Sequence, residues 1–201
     1  IADDLDCSRA TVALAVNILL KENFIRPHAG EGGPYKFTGI GPGPLPAEDV
    51  THAGMDGVLE LRLCIEPGVA ALAAARWKEL ESEGKLQLEH AYKELKREAK
   101  KKDGTVQAWL EADRAFHQAF HMLAGNTLVQ TMLAQLSAAI ADNVKDVVSD
   151  LFDSEYRKQT QDQHTAMFEA ITAGKAEAAM IATRRHLHYA HEEIRRRMRR
   201  R

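Results

Sequence analysis

The sequence predicts a mainly α protein: a small N-terminal winged helix-turn-helix of α+β type, followed by an all-α antiparallel helical bundle. Three observations carry this. Residues 39–49, GIGPGPLPAED, hold three prolines and three glycines in eleven positions. That composition sustains neither a helix nor a sheet ladder, so it divides the chain. Beyond it, apolar residues recur at spacings of three and four almost to the end, the period of a helix with one buried face. Ahead of it, a helical stretch leads into two short β-type runs around a glycine turn. The expected domains are 1–39, a linker at 40–50, and a helical domain at 51–201.

Composition narrows the function classes. Hydrophobic residues make up 45% of the 201 positions and charged residues 28%, ordinary values for a globular protein. The formal net charge of −2 excludes nucleic-acid binding by the whole surface but leaves room for a local basic face. No apolar run approaches the roughly 20 residues of a membrane span. The opening IADDLDCSRA has neither the basic nor the apolar part of a signal peptide. Cys7 and Cys64 lie far apart, so free thiols in a reducing cytoplasm are expected. The chain opens in what reads as mid-helix, without Met or cap, so the N-terminal module is expected to be incomplete.

Within 1–39, residues 1–6 read as a helix end. Ser8 is a suitable N-cap for RATVALAVNILLKEN, whose Val12, Ala15, Val16 and Leu19 share one face. FIRPH and PYKFTGI then read as strands flanking AGEGG. In a helix-turn-helix the second helix enters the major groove N-terminus first. Arg9 there suits a guanine edge or a phosphate, and Ser8 and Thr11 suit phosphate oxygens. Gly32, with its glycine neighbours, lets the wing tip approach the DNA backbone. The stretch IADDLDCSRATVALAVNILLKENFIRPHAGEGG resembles the DNA-binding domain of GntR-type regulators in its "LA..L..SR.TV..A...L..E..I" pattern.

After the linker, six helices are expected, at about 51–77, 79–102, 105–124, 127–150, 154–173 and 175–199. Gly104, Gly125 and Gly174 punctuate three joints. Joints this short make neighbouring helices antiparallel.

In DRAFH, Asp113 and His117 are one helical turn apart, on a stripe shared with Trp109, Phe116 and Phe120. A buried carboxylate beside a buried imidazole needs a partner, and a divalent cation is one. His164 is followed by Met167, Phe168 and Ile171 at helical spacing. In the last helix His186 shares a stripe with Ala179, Thr183 and Ala190, whereas His188 and His191 align with Glu177, Arg184 and Arg195. Periodicity therefore selects His186 and assigns the other two to the wet face. Singly, each of these histidines has a plainer role as a hydrogen-bonded core residue; together they form a candidate metal site. His121, a further turn beyond His117, is expected at the surface, and Asn126 in a turn.

The stretches "D.AFH..F…AGN", "QH..M..AI.AGKAEAA" and "RRHL" resemble the FCD domain that follows the winged helix in the FadR branch of GntR regulators. That resemblance implies Asp113, His117, His164 and His186 as ligands of a divalent transition metal, zinc or nickel foremost. An octahedral ion would keep two positions open, and the resemblance implies that a small organic acid fills them. Arg62, in LELRLCIEPGVAALAAARW, would meet the acid's carboxylate with its guanidinium fork. Its plain alternative is a salt bridge to Glu66 at i,i+4.

The expected function is thus a transcription regulator: a homodimer on a double-stranded DNA operator, modulated by a small carboxylate effector at a metal site. Two alternatives stand beside it, a helical binding module with a purely structural metal and a metal-dependent enzyme acting on a small carboxylate. The sequence holds no HExxH, no G-x-S-x-G and no paired Cys and His, so no catalytic residue and no enzyme activity are expected.

Overall fold

Two three-residue strands, β1 (Ile25–Pro27) and β2 (Tyr35–Phe37), pair antiparallel with Ile25 opposite Phe37, Arg26 opposite Lys36 and Pro27 opposite Tyr35. They stand where the sequence places the two wing strands. Upstream, Ala13, Val16 and Leu20 are helical. The computed structural model describes these positions together with residues 52–101, 103–134, 148–149 and 154–199. Ser8, Arg9, Thr11, Gly32 and the 40–50 linker lie outside the described residues. The chain divides into two compact units, Ile1–Pro46 and Ala47–Arg201.

The second unit is built from helices. These are α1 (His52–Arg76), α2 (Ser82–Lys100), α3 (Val106–Leu123), α4 (Ser154–Thr172) and α5 (Ala176–Met198). A further helical stretch covers 127–134, and 148–149 are also helical. The second helix begins later than its periodicity suggests. Trp77–Glu79 form a 3-10 turn and Leu80 is extended, so Glu81 takes the N-cap position.

Local chemistry sets the joints. The Thr105 hydroxyl accepts from the Ala108 N–H at 3.2 Å and opens α3. Asn126 Oδ1 accepts from the Val129 N–H at 3.2 Å and opens the next helix, so Asn126 is a cap. Gly174 (φ 69°) closes α4. Its N–H donates to Ile171 O and that of Lys175 to Ala170 O, both at 3.0 Å, the paired bonds of a left-handed helix stop.

Packing follows the apolar stripes. α1 lies against α3, α4 and, most extensively, α5, while α2 pairs with α3 and α4. Ala70, Ala73 and Ala74 of α1 and Ala179 of α5 are buried; small side chains let helix axes approach closely. Phe116, Phe120, Met167, Ile171, Leu88 and Leu95 fill the centre. Tyr92 stacks on Phe168 with centroids 4.1 Å apart, and its hydroxyl donates to Thr165 Oγ1 at 3.0 Å. Among the described residues no helix is long and apolar enough to cross a membrane.

Candidate metal centre

Three helices bring the four expected ligands together. α3 presents Asp113 and His117 on one face, α4 presents His164 and α5 presents His186. One ligand atom from each lies within 4.8 Å of all the others. The three histidines are buried and Asp113 is partly exposed. The rings crowd one another: His164 and His186 have centroids 4.2 Å apart, and His117 and His186 5.3 Å.

Two outer contacts orient the rings. His117 Nδ1 is 2.7 Å from Glu66 Oε2, and His186 Nδ1 is 3.2 Å from Gln163 Oε1. Both oxygens are acceptors here, so each Nδ1 is the protonated donor and each Nε2 keeps its lone pair.

The inner atoms lack such partners. Among the described residues, His117 Nε2 and both ring nitrogens of His164 are buried without a hydrogen-bond partner. Asp113 Oδ1 is only 3.0 Å from His164 Nε2, yet the pair lacks hydrogen-bond geometry. Unpartnered buried imidazole nitrogens beside a carboxylate are costly as they stand. They match the nitrogen-rich donor set of a borderline transition metal.

The protonation states agree with a ligand role. Burial holds His117 below the usual histidine range despite the opposing pull of Glu66. Burial, then the neighbouring His164 and His117, hold His186 well below it. Burial opposes ionisation of Asp113, but His164, His117 and His186 outweigh it and keep the carboxyl low. Neutral imidazoles and an ionised carboxylate are the forms that bind metal.

Arg62 pairs with Glu66 through its Nε, and its Nη2 lies 3.4 Å from His117 Nδ1. It also edges a cavity of about 60 Å³ shared with Asp113, Trp109, Tyr156, His186 and His191. The salt bridge and the pocket position therefore coexist.

Two expectations need correction. His121 is buried, 3.3 Å from Glu66 Oε2, because its position one turn beyond His117 keeps it on the face that meets α1. His191 is also buried. α5 packs against both α1 and α4, so it has a second inward stripe of Leu187, His191 and Ile194. His188 is exposed, as expected.

In the sequence Glu66 stands out only as the partner of Arg62, and Gln163 does not stand out at all. Signals existed for both. Glu66 continues the buried Leu59, Ala70 and Ala73 stripe at helical spacing, and Gln163 falls between Thr160 and Met167 on the inner face of α4.

The FCD domain family matches residues 57–189, more than half of the chain. This chain belongs to the FCD family. The FCD protein is also similar to the HTH-type transcriptional regulator LutR of Bacillus subtilis (strain 168), with 28% identity over 199 residues, covering 90% of this chain and 84% of LutR. Among solved structures it resembles Streptococcus agalactiae GntR, with TM-score 0.62, 21% identity and coverage of 95% and 85% of the two chains. It also resembles E. coli McbR/YncC, with TM-score 0.61, 14% identity and coverage of 97% and 84%. The likeness to these two solved structures is one of fold.

Proposed function

We propose that this FCD protein is a GntR-family transcriptional regulator that binds a double-stranded DNA operator as a homodimer in the cytoplasm. On this reading the winged helix-turn-helix occupies 1–39, with Ser8, Arg9, Thr11 and Gly32 at the DNA. The helical domain at 51–201 holds a divalent transition metal, zinc or nickel foremost, on Asp113, His117, His164 and His186. A small organic acid occupies the cavity edged by Arg62. The observation that carries the reading is the four-residue cluster, with one ligand atom from each residue within 4.8 Å of the rest, beside a cavity that Arg62 also lines.

The residues divide the work. The four ligands would hold the ion, and a bound metal would supply Lewis-acid attraction for a carboxylate. Arg62 offers a fork that matches a carboxylate. The cavity, at about 60 Å³, has space for a few atoms if each needs roughly 10–15 Å³ of such volume. That favours short-chain acids. For acid binding to change operator affinity, the acid must bind the two conformations unequally.

The test is a thermal-stability screen of the purified, metal-loaded chain against short mono-, di- and hydroxy-carboxylic acids, with operator affinity measured for each acid that binds. The expected result is stabilisation by at least one acid, lost in His186→Ala and Arg62→Met, with altered operator affinity. Operator affinity unchanged by every acid would refute the switch. Stabilisation that persists in His186→Ala would refute the metal-linked pocket.

A further inference from the structure

We infer that Glu66 is a positioning residue for the metal centre: it fixes which nitrogen of His117 faces the other three ligands. The inference rests on the reading of His117 as a metal ligand.

Glu66 is fully buried on α1, outside the four-residue cluster. An isolated carboxylate at such a depth is strongly disfavoured. Two groups hold it there: Arg62 pairs with it, and His117 Nδ1 lies at 2.7 Å, while His121 Nε2, at 3.3 Å, lacks hydrogen-bond geometry.

The consequence falls on His117. A neutral imidazole carries one proton, and the carboxylate claims it at Nδ1 because a carboxylate only accepts. Nε2 is then left with its lone pair, buried and unpartnered. Without Glu66 both tautomers become accessible, and only one presents a lone pair through Nε2. Hydrogen bonding to a carboxylate also makes the imidazole a stronger donor to a metal.

Glu66, His117 and His121 also lie close enough to suggest a second cation site. Arg62 argues against one. Its guanidinium already neutralises Glu66 and lies 3.4 Å from His117 Nδ1, where a second cation would be repelled.

The test combines Co²⁺ titration of the whole purified chain, by visible absorption and chelator competition, with imidazole ¹⁵N spectra of the metal-free chain. For wild type, His117 should be protonated at Nδ1. Glu66→Gln should bind Co²⁺ about 10- to 100-fold more weakly, the usual effect of losing such an outer partner. If Glu66→Gln fails to fold, the paired replacement Arg62→Met with Glu66→Met serves, since swapping a whole buried ion pair for apolar residues of similar size is often tolerated. In that variant His117 should populate both tautomers. Unchanged Co²⁺ affinity in a folded Glu66 variant, or an unchanged His117 tautomer in the paired variant, would overturn the inference. If wild type itself binds no Co²⁺, the metal reading fails, and the tautomer spectra still decide whether Glu66 orients His117.

Discussion

Two clusters in the helical domain use the same three chemistries and differ in depth. In one, Glu66 of α1 meets Arg62, His117 and His121. In the other, Asp56 of α1 meets Arg195, with both contacts at 3.2 Å, and His191 at 3.5 Å, while Arg195 also reaches Glu60. Glu66 is fully buried, whereas the Asp56 side chain is 34% exposed. Depth changes what each carboxylate does. With no water to turn to, Glu66 must keep every partner, so it orients them. Asp56 can exchange Arg195 for solvent, so this pair ties the two helices only loosely.

The largest expected effect tests the buried member. Glu66→Ala leaves Arg62 inside without its partner and should cost about 3–5 kcal/mol of stability, measured by urea unfolding. A small loss would mean that the two clusters are alike, and the contrast would collapse.

Acid acts on the same buried groups. His117 and His186 titrate below the usual range in the fold. As pH falls below about 6.5, the unfolded chain takes up protons that the folded one refuses. Metal-free stability should therefore decline by up to about 1.4 kcal/mol per pH unit for each such histidine. Glu66, held low, adds a further loss as pH falls through the ordinary carboxylate range. Flat stability between neutral and mildly acidic pH would contradict this.

The smallest effect belongs to the rim. Asp56→Asn should leave the thermal midpoint within experimental error of wild type, because exposed ion pairs contribute little. A clear fall would show that the His191 cluster is a structural tie comparable to the buried one.

Much of this was legible in the residues. Asp113, His117, His164 and His186 each lie on an apolar stripe, and a helix that buries a stripe buries its polar members too. The helix joints were legible at Gly174 and Asn126 because left-handed backbone and side-chain capping have residue preferences. What escaped was the face that depends on a second neighbour. His191 lies inside because α5 touches two helices at once, and His121 because α1 covers that side of α3. Periodicity within one helix identifies an inner stripe but not how many partners widen it. Glu66 and Gln163 escaped for a related reason: their roles depend on the ring atoms that meet them from other helices.

On the proposed reading, Asp113, His117, His164 and His186 hold one metal ion. The most direct test is metal content and Co²⁺ affinity of the purified chain beside Asp113→Ala, His186→Ala and, as an exposed control, His188→Ala. A single equivalent of metal per chain is expected in wild type and His188→Ala, with much weaker binding in Asp113→Ala and His186→Ala. Full metal binding in Asp113→Ala or His186→Ala, or loss in His188→Ala, would contradict it.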